Sequence, residues 1–212
     1  MPFIVFEGLD GSGKSTLMSA LEKVLRDQQL EVLRTREPGG TELGDEIRNI
    51  ILRTDGQAPT ARTELLLYEA SRSQHVDLVI RPALQQNRWV LCDRFTASSV
   101  AFQAGGRKIS EEWVERLNEF ATDGLQAELT VLLDLSVEES RRRRSQRESH
   151  SGDKQDRIES EADSFHERVR RSFLRLAQEH PKRWLVLNAG HAPEELLTQL
   201  IQHLRSLRWL NI

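Results

Sequence analysis

A glycine-rich segment near the N-terminus carries the clearest chemistry in the sequence. Residues 8–15 read Gly-Leu-Asp-Gly-Ser-Gly-Lys-Ser, which fits the spacing G-x-x-x-x-G-K-[ST]. Glycines let the backbone fold tightly, so that several N–H groups point at one centre, and a following helix adds the positive end of its dipole. An apolar run precedes the segment and a helical pattern follows it. The segment therefore predicts a site for the phosphates of a nucleoside triphosphate.

The loop and one strand end supply candidate ligands for ATP and Mg²⁺. Lys14 is expected to reach the β- and γ-phosphates, and the Ser15 hydroxyl to hold Mg²⁺. Asp93 ends a predicted strand, where its carboxylate can lie near that ion, although capping of the next helix explains the same residue equally well. The predicted ATP-binding residues are Gly8, Leu9, Asp10, Gly11, Ser12, Gly13, Lys14, Ser15 and Thr16.

Four arginines, Arg36, Arg48, Arg72 and Arg94, lie at predicted strand ends or on the helices beside them. A kinase whose acceptor is already phosphorylated brings two polyanions together in line, so it needs several cations around the transferring group. Arginine suits this task because its planar guanidinium grips phosphate with two hydrogen bonds. Each arginine alone is more often a solvated surface residue, and only the sequence context favours a site.

Short apolar runs alternate with helical patterns, and these elements must position the candidate residues. The runs at 3–6, 32–33, 89–92, 129–133 and 184–187 predict strands. Helical patterns cover 15–27, 41–52, 63–84, 97–103, 111–121 and 193–207, and two more flank the polar piece 148–155. The alternation predicts an α/β P-loop fold in three layers, a five-stranded parallel sheet flanked by helices. We expect a single domain over residues 1–212, with a small mobile lid at about 141–157.

Composition narrows the class of protein. A formal net charge of −3 over 212 residues disfavours general nucleic-acid binding, which needs excess positive charge. The single cysteine, Cys92, permits no internal disulfide and no cysteine-based zinc site, which fits a reducing compartment. No stretch approaches the roughly 20 apolar residues of a membrane span, and the N-terminus lacks a signal-peptide pattern. We therefore expect a soluble cytoplasmic protein with no nucleic-acid or membrane partner.

Several motifs follow one another in the order found in bacterial thymidylate kinases. They are the phosphate loop, Thr35-Arg36-Glu37-Pro38-Gly39-Gly40, Asp93-Arg94-Phe95 with Ser98-Ser99, Ala101-Phe102-Gln103, and Asp156-Arg157-Ile158-Glu159. Apart from the loop each motif is weak, but the ordered set spans nearly the whole chain and resembles that family. The resemblance implies dTMP and ATP as substrates, Mg²⁺ as cofactor, and a homodimer formed through long helices.

The resemblance also implies roles at the acceptor. Asp10 is similar to the family's acidic residue near the sugar 3′-hydroxyl. Arg36 lies in the stretch that lines the acceptor site. Pro38 shapes the same stretch, and a cis peptide bond before Pro38 is one way to do so. Arg48 is similar to a residue that faces the nucleotide, and Arg94 to the residue that grips the acceptor phosphate.

At the base, Tyr68 matches the aromatic residue that stacks on thymine, where the family usually has phenylalanine. Arg72 resembles the residue that hydrogen-bonds the thymine edge, and the i, i+4 spacing puts both on one helix face. A core aromatic beside a surface arginine is the alternative. Phe102 replaces the family's usual tyrosine near the sugar 2′ position. The implied substrate-binding residues are Asp10, Arg36, Glu37, Pro38, Arg48, Tyr68, Arg72, Arg94, Ser98, Ser99, Phe102 and Gln103.

A run of arginines covers residues 141–144, and Arg147 follows it. Such a run is usually a solvated helix face; a nucleic-acid patch or a lid that closes over ATP and excludes water are the alternatives. The family carries a catalytic arginine in the phosphate loop or in the lid, and this loop has none. The sequence therefore resembles the lid-arginine form, with Arg147 as first and Arg143 as second candidate. Lys14 and Arg94 complete the predicted catalytic set.

The function that follows is phosphorylation of dTMP to dTDP with Mg-ATP, on the route to dTTP. The transfer is direct and in line, with no covalent intermediate. One alternative is another nucleoside monophosphate kinase, such as one for guanylate or adenylate. A second is a P-loop switch NTPase, which hydrolyses its nucleotide slowly without an acceptor.

Overall fold

The computed structural model describes residues 2–151 and 155–210. Within them, five strands form one sheet: β1 Phe3–Glu7, β2 Val32–Arg36, β3 Trp89–Asp93, β4 Leu129–Asp134 and β5 Trp184–Asn188. Their order is β2-β3-β1-β4-β5, and every neighbouring pair runs parallel. The predicted α/β architecture is confirmed. Because all strands point the same way, their carboxyl ends meet at one edge of the sheet.

Helices connect the strands and cover the sheet. They are α1 Lys14–Asp27, α2 Glu42–Leu52, α3 Ala61–His75, α4 Arg81–Gln85, α5 Thr96–Ser99, α6 Glu111–Thr122, α7 Val137–Ser151, α8 Asp163–Glu179 and α9 Pro193–Ser206. The predicted cap of α2 is present, since the Thr41 hydroxyl accepts a hydrogen bond from the Gly44 N–H at 3.0 Å.

Two predicted helices are interrupted by π-helical turns. The stretch expected as one helix over 63–84 consists of α3, a π-helical turn Val76–Ile80, and α4. Pro82 explains the interruption, because proline has no N–H to donate and its ring collides with the carbonyl of the preceding turn. The short helix expected over 97–103 is α5 followed by a π-helical turn Val100–Gly106. Such turns are frequent at functional sites.

The core lies on both faces of the sheet. Alternate residues of β1 point to opposite sides: Ile4 and Phe6 pack under α1 and α9, whereas Phe3 and Val5 pack under the turn before α4. Cys92 is fully buried in the second of these layers, its thiol donates to the Arg94 carbonyl at 3.1 Å, and burial raises its pKa. Among the described residues, no helix has both the length and the apolar character needed to cross a membrane.

Candidate functional site

The carboxyl ends of β1, β2 and β3 open into a cleft that is open to solvent and has a cavity volume of about 70 Å³. Its wall contains every residue predicted to bind the acceptor except Arg36 and Arg72. The lining residues are Asp10, Glu37, Pro38, Arg48, Leu52, Tyr68, Arg94, Ser98, Ser99, Phe102, Gln103, Asp156 and Ile158. The sequence motifs, which lie far apart in the chain, therefore converge on one cavity.

The phosphate loop joins β1 to α1 at one end of this cleft. Gly8 has a φ of 138°, and a Cβ there would lie 2.5 Å from the Leu133 carbonyl oxygen, so only glycine fits. The Lys14 ammonium donates to the Gly8 and Leu9 carbonyls at 3.2 Å and lies 3.8 Å from Asp10. Burial lowers the Lys14 pKa. The loop thus holds one cation at its centre, with Ser15 exposed at the start of α1.

Asp93, at the end of β3, fits a role near Mg²⁺. Its Oδ1 is buried and has no hydrogen-bond partner in the part of the chain that the structure describes. A buried carboxylate oxygen that receives no hydrogen bond lacks a favourable interaction. A cation, or a water bound to that cation, can supply it. The described residues contain no cluster of three or more acidic, histidine or cysteine ligands. Mg²⁺ needs none, because it commonly keeps several waters and binds one or two protein groups plus substrate phosphates.

Arg94 is held in a demanding conformation between the loop and the cleft. Its φ is 72°, the left-handed region that few non-glycine residues adopt. Its guanidinium donates to Asp10 at 2.8 Å and to the Ser98 hydroxyl at 3.3 Å, and stacks on Phe102 with 5.0 Å to the ring centroid. Burial opposes its charge, but Asp10 and Glu7 outweigh burial and raise its pKa. The result is a fixed positive charge in the wall of the cleft.

Glu7 is a site residue that the sequence analysis missed. It ends β1, is fully buried, and accepts hydrogen bonds from the N–H groups of Phe95 and Ser98 and from the Ser98 hydroxyl, at 3.0, 3.1 and 2.6 Å. These N–H groups start α5, so Glu7 acts as a cap supplied by a neighbouring strand. Burial raises its pKa to about 7, against the opposing effect of Arg94. Its position directly before the phosphate loop was the only signal in the sequence.

Ionisation of Glu7 opposes folding, because its pKa is higher in the folded protein. The stability that its protonated form contributes is complete below the unfolded value of 4.5 and is lost as the pH rises through about 7. Relative to Glu7→Gln, we expect the unfolding free energy of the wild type to fall by about 3 kcal/mol between about pH 4.5 and pH 7.5. Urea unfolding of both proteins across this range measures the difference. Parallel pH profiles would contradict the expectation.

Arg72 lies behind the cleft wall rather than in it, with 1% of its surface exposed. Its guanidinium donates to Glu37 at 2.8 Å, to Glu69 at 2.7 Å and to the Ser99 hydroxyl at 2.8 Å. Arg72 is therefore not the surface arginine that the alternative interpretation requires. Two carboxylates stabilise the buried guanidinium. Burial would lower the Arg72 pKa, but the attraction of Glu37 and Glu69 is larger and raises it. The same buried Glu37 precedes Pro38 through a cis peptide bond, as the resemblance suggested.

The other predicted acceptor arginines lie at the rim. Arg36 is 56% exposed on its side chain and pairs with Asp45 at 3.2 Å, so the structure does not bring it to the cleft wall. Arg48 does line the cleft and donates to the Pro38 carbonyl at 3.1 Å. Burial, with repulsion from Arg36, lowers its pKa. One cation thus faces the cavity while the other stays in solvent beside it.

The remaining cleft residues bring aromatic and aliphatic side chains into the wall. Tyr68 lines the cleft, and burial raises the pKa of its hydroxyl. Phe102 packs against Phe165 and Phe173 of α8, with ring centroids 6.1 Å apart in both pairs. The sequence analysis also missed Leu52 and Ile158 in this wall, and it gave Asp156 no role. Their only signal was the apolar spacing of α2 and the motif that follows the lid.

The predicted lid begins as the helix α7, which packs on the phosphate loop. The Ser140 hydroxyl donates to the Asp10 carbonyl at 2.7 Å, and Arg143 donates to the carbonyls of Gly11 and Ala189 at 3.3 and 3.0 Å. Arg147 donates to Glu159 at 2.7 and 2.8 Å. Of the expected lid range, residues 152–154 lie outside the described residues. Both candidate arginines therefore lie on a helix that touches the loop.

Comparison with known proteins gives one consistent family. A sequence model described as thymidylate kinase matches residues 6–201. A Bdellovibrio bacteriovorus protein named thymidylate kinase is 68% identical over 204 residues, which cover 96% of this chain and 95% of that protein. Proteins of the same name from Geotalea uraniireducens and a Synechococcus species are 43% and 44% identical, over 91% and 96% of both chains. These similarities extend along nearly the whole sequence.

Proposed function

The chain belongs to the thymidylate kinase family, and from the geometry of its cleft we propose that it transfers the γ-phosphoryl group of Mg-ATP directly to dTMP. The products are dTDP and ADP, and dTDP is the substrate for a further phosphoryl transfer that yields dTTP. The observation that carries the proposal is that Asp10 of the phosphate loop, Arg94, Tyr68 and Gln103 line one and the same cavity. A donor phosphate on the loop and an acceptor in the cleft are then neighbours.

The phosphate loop would bind the donor. Its N–H groups and the start of α1 favour negative charge, and Lys14 adds a cation at the β- and γ-phosphates. Ser15 and Asp93 would hold Mg²⁺, directly or through water, and the ion would neutralise charge on the donor phosphates. Asp93 suits this role because its buried Oδ1 has no hydrogen-bond partner among the described residues.

The cleft would bind the acceptor. Arg94, fixed by Asp10, would grip the phosphate of dTMP with its remaining donors, and Arg48 would add a second cation from α2. Tyr68 would stack on the base, and Phe102 would lie beside the sugar. Arg143 or Arg147 would reach the transferring group from the lid, and closure would exclude water, which would otherwise accept the phosphoryl group. Arg72 would act from behind the wall by fixing Ser99 and by pairing with Glu37, which lines the cleft beside Pro38.

A substrate panel tests this function. With Mg-ATP, diphosphate formation is measured with dTMP, dUMP, dGMP, GMP, AMP and CMP. We expect fast turnover with dTMP, weaker turnover with dUMP, and at least about a hundredfold lower kcat/KM with the others. Turnover confined to another monophosphate would overturn the base assignment. Slow loss of ATP that no acceptor accelerates would favour the switch NTPase instead.

We also propose that the partner of this chain is a second copy, and that the homodimer works in the cytoplasm, where ATP is available. Large apolar side chains are exposed on α3, α6 and the turn after α3: Leu66, Leu78, Trp113 and Phe120, at 55, 60, 60 and 85%. Trp113 and Phe120 are seven residues apart on α6, so they share one helix face. Exposed patches of this kind mark protein interfaces, and a two-fold arrangement would cover the patch with itself.

Phe120→Glu is expected to convert the dimer to a monomer, because it places a charge on that face, where association would bury it. Sedimentation velocity of both proteins at micromolar concentration measures the change. Leu43→Glu, on α2, is the control for adding a charge at another exposed apolar residue, 46% exposed. A wild-type monomer, or a variant that stays dimeric, would contradict the assignment of this surface.

A further inference from the structure

A buried carboxylate behind the base pocket has no role in the function described above. Glu64, on α3, is fully buried. Its Oε1 accepts a hydrogen bond from the Gln103 side-chain amide at 2.9 Å and another from Arg107 Nε at 3.1 Å. Its Oε2 accepts from Arg107 Nη2 at 3.0 Å and from Arg157 Nη2 at 2.7 Å. Each oxygen therefore has two donors, and the carboxylate joins α3, the π-helical turn after α5 and the segment between α7 and α8.

Glu64 is an acceptor only. Burial would raise its pKa, but the hydrogen bonds from Arg107 and Gln103 outweigh burial and lower the pKa. Each of the two arginines also has a second partner, since Arg107 pairs with Glu161 and Arg157 donates to the Ile51 carbonyl at 2.9 Å. An ionised carboxylate has no proton to donate. The end of the Gln103 amide that faces Glu64 must therefore be the NH₂ group and not the oxygen.

This constraint decides which end of the Gln103 amide faces the cleft. Gln103 lines the cavity, and its side-chain oxygen accepts no hydrogen bond from any residue in the described ranges, whereas its nitrogen is committed to Glu64. We propose that Glu64 is a specificity-determining residue: it orients the Gln103 amide so that a hydrogen-bond acceptor, and not a donor, meets the ring edge of the bound base. The inference rests on the proposed binding of dTMP in this cleft.

A hydrogen-bond acceptor at that position discriminates between pyrimidine bases according to whether their ring nitrogen N3 carries a proton. Thymine and uracil carry a proton on N3, which can donate to the Gln103 oxygen. Cytosine has an unprotonated N3, which is itself an acceptor, so two lone pairs would face each other in a buried pocket. A site that leaves polar groups unpaired with the wrong substrate discriminates strongly. Glu64 thus acts through Gln103 and touches no substrate itself.

Glu64→Gln provides the test, because it reverses the constraint. The oxygen of the introduced amide is expected to stay at the position of Oε2, where two arginine donors meet it, so that the introduced NH₂ group faces Gln103. The Gln103 amide then turns over, offers its oxygen to the introduced NH₂ group and presents its own NH₂ to the cleft. We expect the ratio of kcat/KM for dUMP to that for dCMP to fall at least about tenfold, through a higher KM for dUMP and a lower KM for dCMP.

Two further variants separate orientation from general damage. Glu64→Asp keeps an acceptor-only carboxylate on a shorter side chain, so it is expected to preserve the ratio even where both rates fall. Glu161→Gln removes a charge from the same cluster, at the partner of Arg107, and leaves Gln103 untouched; its ratio is expected to match the wild type. An unchanged ratio in folded Glu64→Gln, or an equal fall in Glu64→Asp, would overturn the proposal.

The wild type supplies a second measurement should Glu64→Gln fail to fold. The Gln103 NH₂ signals, assigned in a ¹⁵N spectrum by their loss in Gln103→Leu, are expected to exchange slowly with water both with and without dTMP. Exchange at the rate of a solvated amide would overturn the role of Glu64. Wild-type turnover with dTMP and dUMP is the baseline for these assays: its absence would refute the proposed function, whereas normal turnover with an unchanged variant ratio would refute the Glu64 role alone.

Discussion

Replacing Arg94 by alanine is expected to lower kcat/KM for dTMP about a thousandfold. The Arg94 guanidinium is held in place, because Asp10 binds it and Phe102 stacks against it, and the Arg94 backbone adopts an unfavourable left-handed φ. Strain of this kind persists where the surrounding structure enforces it. A charge that is already in place costs no reorganisation when negative charge accumulates in the transition state. Both kcat and KM should therefore change.

Steady-state kinetics with varied dTMP at saturating Mg-ATP measures the effect of Arg94→Ala. Arg94→Lys keeps the charge but loses the planar fork that binds Asp10 and phosphate together, so it should fall between alanine and wild type. Arg26→Ala, on the exposed face of α1 and far from the cleft, controls for loss of an arginine. The melting temperature of each variant is compared, since Glu7 and Asp10 both lose their neighbour. An unchanged KM for dTMP in Arg94→Ala would contradict the assignment of Arg94 to the acceptor phosphate.

The second large effect is expected at the lid. Arg147→Ala should lower kcat by about a hundredfold or more, while the Kd for dTMP changes by less than about threefold. The two quantities should respond differently because of where Arg147 lies. It is on α7 and is bound by Glu159, whereas the residues that line the acceptor pocket lie on other elements. A cation that meets only the transferring phosphoryl group contributes to the transition state and little to binding of the acceptor.

Single-turnover rates and dTMP titration separate the two quantities. Arg143→Ala tests the other candidate, which already donates to the Gly11 carbonyl of the phosphate loop. Arg142, exposed on the same helix and paired with Glu139, gives the matched control. An unchanged turnover number in Arg147→Ala would reject Arg147. A larger loss in Arg143→Ala would assign the transferring cation to Arg143.

Most of the fold was predictable because its signals are local. The phosphate loop, the strand runs and the Thr41 cap each depend on neighbouring residues, and all three are where the sequence placed them. The π-helical turns were not predicted, because hydrophobic spacing does not distinguish a widened turn from an ordinary one. Pro82 indicated a break without indicating its form.

The sequence analysis named most of the side chains that line the cleft and missed those that support its wall. Gln103 belongs to a motif and Tyr68 matches a position of the family, whereas Glu7 and Glu64 contact partners 88 and 39 residues away in the chain. Their contacts exist only once β1 meets β3 and α3 meets the turn after α5. Arg72 shows the converse case: its spacing from Tyr68 correctly put both on one helix, yet burial among carboxylates decides where its guanidinium goes.

The burial of Cys92 gives the experimenter a convenient property. Its thiol is inaccessible, its pKa is raised and its proton is donated to a backbone carbonyl, so it should be inert towards maleimides, which react with exposed thiolates. A cysteine introduced at an exposed position, such as Ser149 near the end of α7, would then be the single labelled residue. A fluorophore there would test in real time whether α7 moves when nucleotide binds, in a protein that needs no prior removal of its cysteine.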